Sequence, residues 1–210
     1  MFSPKELDLE RGWPGRIDGE TVTQLASQTL QAFFTGGGAA REHATYPLDH
    51  VLLRAPVLHP PSIRTFDGDD FRFANPAAVV GPGDTVELPQ GVERITPVLR
   101  VAAIIGAGVI GGYTLMNAWE APDLPGAKAS DFAISLGPVV ITPDQVQFDF
   151  VDFDELVDRA AENTRLLPGD VIAAPKASRG DPVGAGDVAE LVYPLFGYLR
   201  NPVASTLPRG

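Results

Sequence analysis

Short apolar runs interrupted by glycine and proline dominate the chain. "AAVVGPGDTVELP", "PVLRVAAIIG", "GYTLMNAW" and "SLGPVVITPDQVQFDFV" each read as strand segments bounded by turn residues. "VLLRAPVLHPP" at 51–61 reads as an edge or entry strand, because proline cannot donate to a ladder. Towards the end, "DVIAAP", "DVAELVYP" and "FGYLRNPV" add three more short strands. Two segments carry helical spacing instead. In "SQTLQAFFTGGG", Ser27 is the candidate N-cap, Leu30, Phe33 and Phe34 form an apolar face, and Gly36–Gly38 stop the helix. Over 152–165, Asp152 caps with Glu155 three residues later, and Leu156, Val157, Ala160 and Ala161 share a face. That helix ends at the turn Leu167-Pro168-Gly169-Asp170. The tally is roughly ten strands and two or three helices, a mainly β chain of the α+β class. A small N-terminal module is expected over 1–46, with the triple glycine and "AAREHATYP" as a linker into a second unit over 47–210.

Composition sharpens this picture. The 22 glycines and 20 prolines supply the turns that many short strands need. A net charge of −11, with only 16 Lys and Arg spread singly, excludes nucleic acid as an expected partner. No window approaches the roughly 18 apolar residues of a membrane helix, and Met1-Phe2-Ser3-Pro4-Lys5-Glu6 has no signal-peptide pattern. The expectation is a cytoplasmic protein with no membrane partner. The absence of cysteine removes disulfides, thiolate metal sites and cysteine nucleophiles together.

Gly106, Gly108 and Gly111 in "VAAIIGAGVIGGYTLMNAW" match the spacing G-x-G-x-x-G of a dinucleotide cradle. That cradle needs a helix to follow the glycines, whereas Gly112-Tyr113-Thr114-Leu115-Met116 has strand chemistry. The competing reading is a turn between two strands.

Several stretches taken together resemble the fumarylacetoacetate hydrolase family. "GWPGRIDGETVTQLASQTLQAFFTGG" is similar to the N-terminal module of its bacterial members, and "LRAPVLHPPSIRTF" to the entry of the catalytic domain. "FRFANPAAVVGPGDTVELP", "VAAIIG", "GGYTLMNAW", "AKASDFAISLGPVVITPDQ", "RLLPGDVI" and "FGYLRNPV" follow in the family's order. The resemblance implies a twisted mixed β-roll, a homodimer, and a small-molecule substrate that is an enolisable diketone or oxo acid. It also implies that "IGAGVIGGYT" is the join left where a family insertion has shrunk, so that the glycine spacing is accidental.

The same resemblance implies a divalent cation held by four carboxylates, and this chain departs from it. The corresponding positions read Thr65, Val98, Arg100 and Ala118. Magnesium and calcium want hard oxygen ligands, and a fixed guanidinium repels them. The family's catalytic His is missing from "TFDGDDFRF", and its later donors are replaced by Ala173-Ala174-Pro175, Pro122 and Pro125. His43, His50 and His59 all precede this segment and read as surface residues. Asp67-Gly68-Asp69-Asp70 lacks calcium-loop spacing and reads as a solvated turn. No metal and no cofactor are therefore expected.

Polar residues remain where the family lines its cavity. Arg100 and Lys128 are candidate enolate stabilisers, and Tyr113 and Glu120 candidate proton carriers. Asn117, Trp119 and Asp131 are candidate substrate contacts. Arg100 could equally pair with Glu120 or Asp131 as a structural ion pair, and Trp119 could be core. Two functions follow. One is a metal-independent enzyme that cyclises, isomerises, dehydrates or decarboxylates an enolisable dicarbonyl, such as a polyketide- or tetramate-like biosynthetic intermediate. The other is a catalytically inactive relative that serves as a binding or scaffolding subunit.

Overall fold

An eight-stranded mixed sheet organises the chain, as seen in a computed structural model that describes residues 1–7 and 9–206. Its strand order is Asp70–Ala74, Ile63–Asp67, Val171–Ala173, Val98–Ile105, Ile110–Ala118, Ile134–Ile141 and Val79–Val80, with Ser178–Arg179 pairing the start of Val98–Ile105. Two pairings are parallel, Val171–Ala173 with Ile63–Asp67 and Ile134–Ile141 with Val79–Val80, and the other pairings of this sheet are antiparallel. The expected mainly β architecture is what forms, and the sheet curls into a roll.

Every residue of Val98–Ile105 is buried, because the strand is covered on both faces and so reads as one apolar run with a single charge in it. Side chains alternate along a strand, which splits the core in two. Leu99, Val101, Ala103 and Ile105 pack with Tyr113, Leu115 and the helix α2 (Phe153–Ala161) on one face. Ala102 packs with Ile63, Met116, Ile134 and Leu136 on the other. The α2 cap is as the sequence predicts: Asp152 Oδ1 accepts from the Glu155 N–H at 3.1 Å. Phe153, Leu156 and Ala160 are the residues of this helix that are buried.

Residues 106–109 are a hairpin turn between Val98–Ile105 and Ile110–Ala118, not the mouth of a helix. Gly108 takes φ 78°, and the Gly106 N–H donates to Val109 O at 2.8 Å. The neighbouring glycines serve packing. A Cβ on Gly111 would lie 2.7 Å from Phe34 Cδ2, and one on Gly106 would lie 3.2 Å from Phe34 Cβ. Phe34 belongs to α1 (Leu30–Thr35), so the N-terminal segment docks against the hairpin through a ring laid on bare backbone. Gly111→Val should destabilise the protein by about 1–3 kcal/mol through overpacking, and Phe34→Ala in the same chain should recover part of the loss. Urea unfolding of the two single variants and the double variant measures this.

The N-terminal segment differs from expectation in three details. Thr29, not Ser27, caps α1: its Oγ1 accepts from Ala32 N at 3.0 Å, while Ser27 donates to the Thr29 carbonyl. "AAREHATYP" is not a linker. Glu42–Pro47 is an outer strand paired with Thr21–Leu25, exposed along most of its length, and its polar residues face water while the backbone completes the ladder. Val51–Leu53 pairs with Phe2–Pro4 rather than entering the large sheet, so N-terminal strand pairing runs past residue 46. No helix among the described residues is long and apolar enough to cross a membrane.

Candidate functional site

Alternation carries one ionised residue of the central strand onto the face of Ala102 and Met116. Arg100 stands opposite Met116 in the hairpin register and is 4% exposed. A cavity of about 270 Å³ opens beside it, lined by Thr65, Arg72, Asn75, Arg100, Met116, Ala118, Glu120, Ser130 and Asp131 among others. Thr65, Arg100 and Ala118 are three of the four positions where the resemblance puts metal-binding carboxylates. The fourth, Val98, is 1% exposed and packed.

The Arg100 guanidinium is tied to protein acceptors. Nη1 donates to the carbonyls of Phe66 at 2.7 Å and Ala174 at 2.9 Å, and Nη2 donates to Asp67 Oδ1 at 2.9 Å. Its Nε is buried with no partner. Arg72 Nη2 reaches the other oxygen of the same carboxylate, Asp67 Oδ2, at 2.8 Å. Partial burial pushes the Asp67 carboxyl up, but hydrogen bonds and charge from Arg100 and then Arg72 outweigh it and hold the group below the ordinary 3.8. The partner of Arg100 is therefore Asp67, not Glu120 or Asp131. Glu120 is held by Arg179, and Asp131 Oδ2 accepts from Lys128 Nζ at 2.8 Å.

The structure divides the seven candidate residues. Arg100, Glu120 and Asp131 line one cavity. Tyr113 lies on the opposite face of the sheet, its ring 5.0 Å from Phe148 and 4.9 Å from Phe153 between centroids, and so stands apart from the Arg100 cavity. Burial there, followed by the charges of Asp154 and Asp152, raises its pKa above 10.0 and makes it a poorer proton carrier near neutrality. Asn117 is 2% exposed and spends its Oδ1 on the Val98 N–H at 2.8 Å. Trp119 is fully buried with Nε1 donating to Ser135 Oγ at 2.9 Å, in a separate core with Leu88, Ile95 and Val203. Lys128 has a 74% exposed side chain and is not among the residues lining the cavity.

Asp67 and Arg72 enter the site although the sequence reading left them out. The Gly68-Asp69 pair was their signal: Gly68 takes φ 70° in a two-residue turn that sets Ile63–Asp67 against Asp70–Ala74 and brings Arg72 back beside Asp67.

The donor set does not fit a divalent metal. Among the described residues no group of three or more His, Cys, Asp or Glu could hold one. The acids around the cavity, Asp67, Glu120 and Asp131, are each already engaged by a cationic side chain.

No protein-family profile matches the chain, nor does any curated protein sequence. Solved structures do. Maleylpyruvate hydrolase from Sphingobium sp. SYK-6 is similar at a TM-score of 0.79 and 21% identity, over 93% of this chain and 97% of that one. A 5-carboxymethyl-2-hydroxymuconate delta-isomerase from Mycobacterium smegmatis is similar at 0.75 and 20%, over 92% and 94%. A 2-keto-3-deoxy-D-arabinonate dehydratase complexed with magnesium and 2,5-dioxopentanoate is similar at 0.76 and 16%, over 94% and 97%. The fold is that of the fumarylacetoacetate-hydrolase-like proteins. At these identities the likeness is one of fold.

Proposed function

We propose that the protein is a metal-free enzyme that enolises a small carbonyl compound in the Arg100 cavity. One observation carries this reading: a cavity opens beside Thr65, Arg100 and Ala118, where the resemblance puts metal-binding carboxylates, and a buried guanidinium lines it. The solved neighbours named as isomerase, hydrolase and dehydratase support a carbonyl substrate. A volume of about 270 Å³ is at the small end for ligand sites and suits a compact oxo acid rather than a polyketide-length chain.

In this reading the Glu120 carboxylate takes a proton from the carbon next to the carbonyl. The C–H electron pair moves into the new C=C bond, and the carbonyl π pair moves onto oxygen. Arg100, fixed by its protein acceptors, supplies the positive field that stabilises the enolate, and the largely exposed Arg72 adds a solvent-screened charge. Where the substrate carries a C=C bond β,γ to the carbonyl, the enolate is a dienolate, and return of the same proton to its far carbon moves the double bond into conjugation without any co-reactant. A homodimeric, cytoplasmic protein remains part of this reading through the resemblance.

The test is deuterium incorporation into levulinate in D2O with EDTA present, followed by proton NMR. The wild-type chain should exchange the protons beside the ketone well above the buffer rate, and Glu120→Gln should slow this by about 100-fold or more. Exchange at the buffer rate, or only after manganese or magnesium is added, would overturn the reading. A non-catalytic binding subunit is the second reading. It is favoured by the three protein acceptors that already engage Arg100, and it predicts exchange at the buffer rate.

A further inference from the structure

We infer that a second cavity, on the α2 face of the sheet, binds a guanidinium group between Tyr113, Asp149 and Asp154. The site shares no residue with the Arg100 cavity, so the outcome of the deuterium experiment does not bear on it.

The segment 146–154, "VQFDFVDFD", intersperses rings with acids and curls around a space of about 560 Å³. Phe148, Phe150 and Phe153 line it together with Asp149, Asp152 and Asp154, and Tyr113 is the lining residue that the sheet contributes. The four rings form one cluster, with centroids 5.0 Å apart for Tyr113 and Phe148, 4.9 Å for Tyr113 and Phe153, and 5.5 Å for Phe148 and Phe150. No Lys, Arg or His lines the space. Arg159, the basic residue of α2, is engaged by Asp69 and Glu155 instead. Asp152 spends Oδ1 on the α2 cap, whereas Asp149 and Asp154 make no hydrogen bond or ion pair among the described residues.

Tyr113 supplies the observation that points to a ligand. It is 9% exposed, so its ring belongs to the core, yet its hydroxyl has no hydrogen-bond partner among the described residues. The fully buried unpaired side-chain atoms of those residues are Arg64 Nε, Arg100 Nε and Asn201 Oδ1, so the Tyr113 hydroxyl is open to the cavity that its residue lines. Burial, followed by the charges of Asp154 and Asp152, raises its pKa, which keeps the hydroxyl protonated and sets it within reach of two acids of the cavity wall.

This lining selects the ligand. Aromatic faces attract a cation, and carboxylates without a cationic partner add the same preference. A metal ion does not fit, because among the described residues no three acids converge closely enough to hold one. A quaternary ammonium carries charge but has no N–H to offer the Tyr113 oxygen or the carboxylates. A guanidinium is planar, more weakly hydrated than an ammonium, stacks on rings and presents its N–H donors as a fork. The volume falls within the range of small-ligand sites.

Isothermal titration calorimetry of the full chain at low salt tests this with three probes that share one alkyl tail: butylguanidinium, its neutral isostere butylurea, and butyltrimethylammonium, a cation without N–H groups. Butylguanidinium should bind about tenfold more tightly than either of the others. Tyr113→Phe keeps the ring and removes a hydroxyl that bonds to nothing in the chain, so the fold is retained. It should weaken butylguanidinium severalfold and leave butyltrimethylammonium unchanged. Asp154→Asn should weaken both cations and spare butylurea, whereas Asp181→Asn, at an exposed acid outside the cavity, should alter none of the three. A guanidinium can come from a small compound or from an arginine side chain of another protein, and N-acetyl-Gly-Arg-Gly amide separates the two. Affinity equal to butylguanidinium assigns the site to an arginine side chain, a clear loss assigns it to a small compound, and either upholds the guanidinium site. No binding of butylguanidinium, equal affinity for the three probes, equal weakening of both cations by Tyr113→Phe, or equal effects of Asp154→Asn and Asp181→Asn would overturn the inference.

Discussion

Arg100→Met is expected to destabilise the protein by about 2–5 kcal/mol and to abolish levulinate exchange. Methionine fills a similar elongated space and removes only the donors and the charge. The carbonyls of Phe66 and Ala174 then lose a buried donor, and each unsatisfied group costs about 1–3 kcal/mol. The Asp67 contribution is smaller than for a fully buried pair, since its side chain is 42% exposed and water screens it. The acid limb reports on the pair separately. The native Asp67 carboxyl is held below 3.8, so its stabilisation is fully present above that value and is lost as the pH falls through the depressed native value. In Arg100→Met the carboxyl keeps only Arg72, and stability should fall less steeply at acid pH than in the wild type. Urea titrations at neutral pH and through the acid range measure both effects. A loss below about 0.5 kcal/mol would show that the guanidinium is not the tie between these strands.

Trp119→Ala is expected to cost about 3–5 kcal/mol, the range for removing a large side chain from a core. The ring is fully buried among Leu88, Ile95, Ala121 and Val203, and its N–H is the partner of Ser135 Oγ. Trp119→Phe retains most of the apolar surface and loses the hydrogen bond, so a cost of about 1–2 kcal/mol should follow. Levulinate exchange should survive Trp119→Phe, because the ring does not line the Arg100 cavity. A phenylalanine variant with wild-type stability but lost exchange would return Trp119 to the role of substrate contact.

Local chemistry was legible wherever a short stretch of chain decides the outcome. The Asp152 cap, the stop at Gly36–Gly38 and the strand character of "PVLRVAAIIG" depend on neighbours a few residues away, and each formed as read. "AAREHATYP" failed for the opposite reason. An exposed strand has little apolar pattern to betray it, and only pairing with Thr21–Leu25 makes it one. Tyr113 and Asn117 stand away from the Arg100 cavity for the same reason. They share parity with Leu115, whereas Arg100 shares a face with Met116, and that relation exists only once the hairpin register is set.

By itself the sequence determined the mainly β class of fold and the turns that punctuate it, because these follow from residue identity and local spacing. Tertiary structure alone decided which charges meet. It paired Arg100 with Asp67 rather than Glu120, left Lys128 outside the cavity, and set Arg72 and Asp131 around one space. An ion pair depends on distance, and residues far apart in the chain acquire a distance only when strands register and side chains alternate across the sheet.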